Sequence, residues 1–585
     1  MRPSSLSART GAPLLASVLA MTSACASRPA SKPPETPTAS APVAAKAEAP
    51  AALVDPIAQA AAQLIATPTL RTHIETLASD RTEGRGPGTP GGELAMQYLE
   101  GRLKEMGYAP AAPDGSYRQP FELLSLDTEA PTTWTFTRAG KNVKLKGDQY
   151  IVSVGDQKPT TKVQNAELVF VGYGIQAPEY QWDDFKGQDL RGKVLVMLNS
   201  DPDWDPALFA GETRLYYGRW TYKYESAARQ GAAGAIIVHT TKSAGYPFQV
   251  VQTSWSGAQY EAPAEGEPRL AFRSWATEEA TSALLKLADK DLAALTEAAK
   301  QRDFVPVPLG VKTNLAFKSA VKKTASANVL GKLEGSDPAL RDEVVVYTAH
   351  HDHLGIGKPD QSGDRIYNGA IDNAAGMAQV LEIARALKQL PRAPRRTSLI
   401  LFVGAEEQGL LGSSYFARHP TVAPGAIAAD LNYDFGNVWG PTRDITFVGK
   451  EKSSLGRVVE AVAATQGRVV LPDQMPDRGF FYRSDHFSFA RVGVPSVNFG
   501  EGMDMIGKPA GWGREQVERY EAENYHQPSD EYDPSWNLDG MVEDARLGFY
   551  VGVNVANADD MPTWTPGDEF EAARKEALAA RAQQK

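Results

Sequence analysis

Histidine and acidic residues follow several apolar, strand-like segments of this chain. The pentapeptide His350–Leu354 follows the apolar run Val344–Ala349 and contains three of the eight histidines. Downstream, Asp372, Glu406–Glu407 and Asp434 each lie at the end of an apolar run or in a Gly-rich turn. Active sites in α/β sheets are usually built at strand ends. The pattern therefore predicts a metal site assembled from the tips of successive strands.

The candidate residues divide into the roles that a hydrolytic two-metal site requires. Such a site needs imidazole and oxygen ligands, a bridging carboxylate and a free carboxylate as base. Asp352 lies on the same side of an extended chain as His350, so we expect it to accept a hydrogen bond from that ring. Asp372 is placed to bridge, although its turn alone would be interpreted as a helix cap. Adjacent side chains diverge, which lets Glu407 bind metal while Glu406 acts as base.

Two later residues complete this set. Asp434 repeats the strand-end placement, and His526 supplies an imidazole near the C-terminal end. Each residue alone is weak evidence for a metal site. Five acidic or imidazole groups at successive tips of one sheet are much less expected by chance. Cys25 is the only cysteine, so any metal must be held by nitrogen and oxygen. Such donors suit zinc, and also manganese or cobalt.

Length and charge limit the classes of protein to consider. A chain of 585 residues is too long for one core and should hold two or more domains. The composition, 42% hydrophobic and 23% charged, is typical of a globular protein. The net charge of −10 argues against a nucleic-acid partner, which requires a basic face.

The N-terminus has the features of an export signal. Two arginines precede the apolar segment Leu14–Met21, which is too short to span a bilayer stably, and small residues precede Cys25. We predict a signal peptide over residues 1–25 that resembles a lipoprotein box, with Cys25 acylated as the only membrane attachment. Because Thr22 stands where leucine is usual, cleavage as a plain secretory peptide stays open. The predicted location is the periplasm, the outer membrane through the lipid, or the exterior.

Composition and periodicity divide the rest of the chain. We predict that residues 26–52 are a disordered Ala/Pro linker. Residues 53–123 begin the catalytic domain, 124–319 read as a β-rich insertion of short alternating strands, and 320–560 complete the catalytic domain. In this last part strands alternate with helices, which indicates a sheet covered on both faces. Residues 561–585 form a C-terminal tail.

One glycine-rich segment matches a nucleotide-binding pattern only formally. Gly86, Gly88 and Gly91 have the spacing G-x-G-x-x-G. No strand precedes them, and Pro87 and Pro90 interrupt the segment. We therefore interpret it as a loop that leads into a helix.

The motifs together resemble the co-catalytic dizinc exopeptidases, which include bacterial secreted aminopeptidases and glutamate carboxypeptidase. Order and spacing agree over most of residues 70 to 550. The matching segments are Ala349–Gly355, Gly369–Gly376, Ala405–Ser413, Asn432–Asp434, Ser484–His486 and Tyr525–Asp530. The resemblance implies a three-layer α/β/α domain with a central mixed sheet, interrupted by a β-rich protease-associated domain at residues 124–319.

The resemblance also assigns the metal ligands. It implies two zinc ions per chain, one held by His350 and Asp434 and the other by Glu407 and His526. Asp372 bridges both ions.

Further roles follow from the same resemblance. Glu406 is the general base, and we predict it and Asp352 as the catalytic residues. The peptide bond between Asp372 and Asn373 matches the place where the family keeps a cis bond. The remaining histidines of the motifs are expected beside the ligands or in the substrate wall: His351, His353 and His486.

The predicted function is that of an exported zinc aminopeptidase acting on peptides. Glu406 would take the proton of the attacking water and later give it to the leaving amine. A carboxypeptidase with the same ligands stays open, and so does a non-catalytic receptor on this scaffold. A Ser-His-Asp hydrolase is rejected because Ser484, Asp485 and His486 are sequence neighbours and cannot converge as a triad. Nothing in the sequence indicates the oligomeric state.

Overall fold

The computed structural model describes residues 54–583. The predicted signal peptide with Cys25 and the predicted linker lie outside the described residues. The helices are α1 (Pro56–Ala62), α2 (Thr67–Leu77), α3 (Pro90–Glu105), α4 (Trp220–Arg229), α5 (Thr241–Ala244), α6 (Phe248–Ser254), α7 (Glu278–Leu287), α8 (Leu292–Ala299), α9 (Gly376–Lys388), α10 (Leu411–Arg418), α11 (Leu455–Thr465), α12 (His486–Arg491), α13 (Trp512–Glu523), α14 (Asp539–Asn557) and α15 (Glu571–Ala582).

The strands are numbered in the same way along the chain. They are β1 (Ala109–Pro110), β2 (Arg118–Thr128), β3 (Thr133–Arg138), β4 (Lys141–Lys146), β5 (Tyr150–Val154), β6 (Thr160–Phe170), β7 (Gln176–Ala177), β8 (Trp182–Asp183), β9 (Val194–Leu198), β10 (Gly234–His239), β11 (Gln259–Glu261), β12 (Phe272–Thr277), β13 (Val307–Leu333), β14 (Val344–His350), β15 (Gly355–Ile356), β16 (Ile366–Tyr367), β17 (Thr397–Val403), β18 (Ile427–Tyr433), β19 (Asp444–Val448), β20 (Val469–Leu471) and β21 (Ser496–Gly500).

The strands that carry the candidate residues form a mixed sheet. Strand β14 pairs in parallel with β17 on one side and β18 on the other. Strand β18 pairs in parallel with β21, whereas β13 and β19 join the sheet antiparallel to β17 and β21. The predicted central mixed sheet is therefore confirmed. Since β14, β17 and β18 run in the same direction, their C-terminal ends meet at one edge.

Helices cover both faces of this sheet. Every residue of β14 is buried, and alternate side chains belong to different clusters. Val345 and Tyr347 pack with helices α2, α3, α9 and α14. Val346 packs on the opposite face with Phe416 of α10 and Phe489 of α12. A strand covered on both faces reads as a continuous apolar run, which is what the sequence shows before His350.

A second sheet is built largely from residues 124–319, which we call the inserted segment. Strand β9 pairs in parallel with β6 and β10, and β10 pairs in parallel with β12. The 27-residue strand β13 pairs with β6 in its first part, then with β2, and finally with β17. This strand links the two sheets and crosses the predicted boundary at residue 319, which stays a prediction. Within residues 54–583, no helix is both long and apolar enough to cross a bilayer.

Candidate metal centre

The ends of three neighbouring strands deliver the predicted chemical groups to one edge of the sheet. His350 is the last residue of β14, and Asp434 follows the last residue of β18. The adjacent strand β17 ends at Val403, and Glu406–Glu407 follow after two residues. Because these three strands are parallel neighbours, their C-terminal ends lie together, as the sequence predicts.

Asp372 reaches the same edge from the turn before helix α9. The turn spans Ala370–Ala375, and the peptide bond between Asp372 and Asn373 is cis. The carboxylate of Asp530 accepts hydrogen bonds from the backbone N–H groups of Ile371 and Asp372, at 3.0 and 3.2 Å. The Asp530 carboxylate therefore fixes the backbone that presents Asp372.

One cluster of donor atoms surrounds His350. Its Nε2 atom lies 3.1 Å from Oδ1 of Asp372 and 3.0 Å from Oδ1 of Asp434. Its Nδ1 atom lies 3.2 Å from the backbone oxygen of Asp352. A carbonyl oxygen only accepts, so Nδ1 carries the proton and Nε2 is left with its lone pair towards the carboxylates.

A second cluster shares Asp372. Nε2 of His526 lies 3.3 Å from Oδ2 of Asp372 and 2.9 Å from Oε2 of Glu407. The two oxygens of Asp372 thus face different imidazoles, which is the placement that a bridging carboxylate requires. His353 lies here as well, with Nδ1 2.5 Å from Oε1 of Glu407. The structure therefore groups His353 with Asp372 and Glu407 as close donor atoms.

The electrostatics of these clusters favour bound positive charge. Burial opposes charge on the imidazoles, but Asp434 and Asp372 raise the pKa of His350 well above its usual value. Burial likewise opposes charge on His526, but Glu407 and Asp372 raise its pKa to about 10. Nε2 of His526 is buried, and although Oε2 of Glu407 lies 2.9 Å away, the two atoms are not aligned for a hydrogen bond. Imidazole nitrogens and carboxylate oxygens in this arrangement fit divalent cations such as zinc.

Comparisons with known proteins agree with this geometry. Residues 328–549 match the model of peptidase family M28. After this match we call residues 328–549 the M28 domain. The sequence-based recognition of a zinc exopeptidase family, and with it the assignment of this chain to the peptidases, is thereby confirmed.

Similar proteins named aminopeptidases match more than two thirds of this chain. Aminopeptidase YwaD of Bacillus subtilis is 24% identical over 401 residues, covering 68% of this chain and 67% of that protein. A probable leucine aminopeptidase 2 of Aspergillus oryzae is 27% identical over 448 residues, covering 74% and 73%. The solved aminopeptidase of Aneurinibacillus sp. strain AM-1 is 18% identical, with a TM-score of 0.51 over 87% of this chain and 97% of that one. This structural likeness concerns the fold.

The Asp352 carboxylate has hydrogen-bond partners other than the one that the sequence predicts. Its carboxylate lies 3.8 Å from Nδ1 of His350, beyond hydrogen-bond distance. Its oxygens instead accept from the backbone N–H groups of Glu406, at 2.9 Å, and of Glu407, at 3.4 Å. The Asp352 carboxylate thus orients the turn that carries both glutamates, and its backbone oxygen orients His350.

The pKa values of the two adjacent glutamates are shifted in opposite directions. Burial raises the pKa of Glu406 well above its usual value, with His350 opposing and Asp434 adding to the effect. Burial also acts on Glu407, but His526 and His353 outweigh it and lower its pKa to about 2. A permanently anionic Glu407 suits a ligand, and a Glu406 that holds a proton readily suits a base.

Arg85 stabilises the loops of the M28 domain and was missed by the sequence analysis. Its side chain is fully buried. It donates hydrogen bonds to the backbone oxygens of His351 at 3.1 Å, Asn368 at 2.5 Å and Gly369 at 2.9 Å. One guanidinium group therefore connects the segment that follows His350 to the segment that precedes Asp372. Arg85 directly precedes Gly86 of the glycine-rich segment that we interpret as a loop. Nothing in this sequence indicates which groups accept hydrogen bonds from the Arg85 side chain.

Ser254 of the inserted segment contacts the predicted ligand His526 and was also missed. Its hydroxyl lies 2.6 Å from the backbone oxygen of Val250 and 2.7 Å from Nδ1 of His526. A hydroxyl has one proton, which goes to the carbonyl, so its oxygen accepts from Nδ1–H of His526. This leaves Nε2 of His526 free to bind metal.

We expect Ser254→Ala to weaken zinc binding by about 10–100-fold, because partners that orient a ligand are worth that much. Zinc titration of the metal-free protein measures this effect. Ser256→Ala is the matched control, because the Ser256 hydroxyl donates to the backbone oxygen of Thr253, at 2.8 Å, and is not among the contacts of His526. Equal zinc affinity of the two variants would show that Ser254 does not orient His526.

Proposed function

We propose that this protein is an exported zinc aminopeptidase that removes N-terminal residues from peptides, with two metal ions and Glu406 as the general base. The supporting observation is a cavity of about 140 Å³ beside the metal centre, which we call the carboxylate pocket. Its walls combine acidic and apolar side chains: Asp372, Glu406, Asp434, Asp473, Glu501, Glu521, Tyr246, Phe435, Val448, Met475, Phe480, Phe499, Met503, Val517, Tyr520 and Tyr525, with Arg483 as the cationic one.

Glu501 is the carboxylate of this pocket with which a bound ammonium group would pair, and that group would favour its anionic form. It follows the end of strand β21 and makes no ion pair among the described residues. Burial raises the pKa of Glu501 to about 7. The ammonium group of a peptide N-terminus has a pKa of about 7.7–8.0, so it is largely charged at neutral pH. An acidic pocket at the reacting centre attracts this end of a peptide and repels the carboxylate end.

The residues of the chain then perform the proton transfers. Glu406 accepts a proton from the water that attacks the scissile carbonyl carbon, and it donates this proton to the leaving nitrogen as the C–N bond breaks. His350, Asp372 and Asp434 would hold one cation, and Asp372, Glu407 and His526 the other. Bound zinc would supply the positive charge that polarises the carbonyl and acidifies the water.

The names of similar proteins support zinc and an aminopeptidase. Besides the relatives above, the matches include a leupeptin-inactivating enzyme 1 of Streptomyces exfoliatus, 28% identical over 178 residues. Probable zinc metalloproteases of fungi match shorter stretches. A non-catalytic receptor is not favoured, because the ligand set and Glu406 are all in place.

We expect the enzyme to hydrolyse an aminoacyl anilide at least about 100-fold faster than its N-acetyl form, since acetylation removes the ammonium charge. The measurement is kcat/KM for both substrates, before and after treatment with a chelator. Chelation should abolish hydrolysis, and added zinc should restore it. Equal hydrolysis of the blocked anilide would show that a free amine is not required, and hydrolysis of an N-blocked peptide with a free carboxylate would favour the carboxypeptidase alternative.

We propose export from the sequence of residues 1–25, with acylation at Cys25. The support is the basic start, the apolar segment and the small residues before that cysteine. Cys25→Ser should move the protein from the membrane fraction to the soluble periplasmic fraction. Soluble wild-type protein with the same N-terminus would contradict acylation.

A further inference from the structure

A second cavity, of about 300 Å³, extends from the metal centre to the inserted segment. We call it the arginine cleft. It is lined by Glu406, Glu407 and His526 at one side and by Arg219 and Trp220 of the inserted segment at the other. Arg483 lines both this cleft and the carboxylate pocket. The two cavities therefore meet at Glu406, where a scissile bond would lie.

Arg219 and Arg483 have no carboxylate partner, although both line the cleft. Among residues 54–583, the side chain of Arg219 forms no hydrogen bond or ion pair, and its Nε atom is buried. Arg483 stacks 5.0 Å from the ring of Phe480 and 5.6 Å from that of Tyr246. Within the described part of the chain, it donates only a long hydrogen bond, of 3.4 Å, to the hydroxyl of Tyr525. Both guanidinium groups thus retain donors for a ligand.

Three other acidic residues of the cleft already have partners: Glu261, Glu407 and Glu225. Arg273 is paired with Glu261, and Glu407 contacts His353 and His526. Glu225 accepts a hydrogen bond from the hydroxyl of Tyr216, at 2.9 Å. Glu261, Glu407 and Glu225 thus have other partners, and within residues 54–583 no carboxylate lies at ion-pair distance from Arg219 or Arg483.

Arg219 carries an electrostatic cost that an anion would relieve. Burial lowers the pKa of Arg219 to about 10, and repulsion from Arg483 contributes to this shift. Two neighbouring guanidinium groups without a counter-charge are suited to bind a carboxylate with several charge-assisted hydrogen bonds.

We propose that Arg219 and Arg483 bind the C-terminal carboxylate of short peptide substrates, so that the enzyme acts preferentially on dipeptides. This inference rests on the proposed aminopeptidase function, with the N-terminal residue in the carboxylate pocket. One residue spans about 3.3–3.6 Å of extended chain. The carboxylate of a dipeptide therefore lies one residue beyond the scissile bond, within the cavity that joins Glu406 to the arginine pair.

Three substrates with the same N-terminal residue test this proposal: a dipeptide with a free carboxylate, the same dipeptide as an amide, and a dipeptide amide whose second residue is aspartate. We expect kcat/KM for the free acid to exceed that for its amide at least tenfold. Equal values would overturn the proposal while leaving the aminopeptidase function intact. Preference for the aspartyl amide alone would also overturn it, because the carboxylate would then come from a side chain.

Variants connect this preference to the arginine pair. In Arg219→Met and in Arg483→Met, the ratio of free acid to amide should fall towards one. Arg191→Met is the matched control in the same segment, because the Arg191 side chain is 80% exposed and pairs with Asp189. It should keep the wild-type ratio. A retained ratio in both cleft variants would contradict the assignment of these arginines. Failure to hydrolyse any free-amine substrate would contradict the proposed function itself, and this inference with it.

Discussion

Glu406→Gln should keep its bound zinc and lose about 10²–10⁴-fold in kcat, the range that general-base catalysis contributes. Glutamine has nearly the same shape but cannot accept the proton of the attacking water. Neither metal cluster includes Glu406, whereas the adjacent Glu407 lies in one of them. The substitution therefore removes the base and leaves the ligands in place. Steady-state kinetics and metal analysis of the same preparation measure both quantities.

A matched substitution distinguishes this role from a general effect of lost charge. Glu212 is an exposed glutamate of the inserted segment. Glu212→Gln should leave both kcat and zinc content unchanged. If Glu406→Gln retained near-wild-type kcat, another group would have to be the base. If it lost zinc, the separation between the base Glu406 and the ligand Glu407 would be wrong.

The strand-end residues could be placed from the sequence because their signal is local. The apolar run before His350 and the run before Glu406 are long enough to indicate buried strands, and the structure has β14 and β17 there. Parallel strands bring their C-terminal ends to one edge, so side chains distant in sequence meet there. The mixed sheet follows from the same alternation of strands and helices.

Contacts between distant segments could not be read in this way. Ser254 meets His526 across 272 positions of sequence, and Arg85 meets His351 across 266. The hydrophobic periodicity of a sequence does not indicate which distant residues will be in contact. The expected hydrogen bond from His350 to the Asp352 carboxylate failed for a related reason. The backbone amides of Glu406 and Glu407 compete for that carboxylate, and they arrive from another strand.

The metal centre draws on both parts of the chain. The M28 domain supplies the predicted ligands and Glu406, while the inserted segment supplies Ser254 beside His526 and Arg219 in the cleft. A cavity between two such parts can be selective at both ends of a short substrate. The inserted segment would then act on zinc binding and on substrate choice separately, and the Ser254 and Arg219 variants measure these two effects.

Asp372→Asn should reduce bound zinc from about two ions to less than one per chain, and lower kcat/KM by more than the roughly 100-fold that a lost supporting contact can cost. Asparagine keeps the shape of the side chain but offers one acceptor oxygen, while its NH₂ group would face one of the two clusters. In the wild type, Oδ1 of Asp372 lies 3.1 Å from Nε2 of His350, and Oδ2 lies 3.3 Å from Nε2 of His526. Asp303→Asn, at an exposed position, should bind zinc normally. An Asp372→Asn protein with two tightly bound ions would show that this carboxylate does not bridge them.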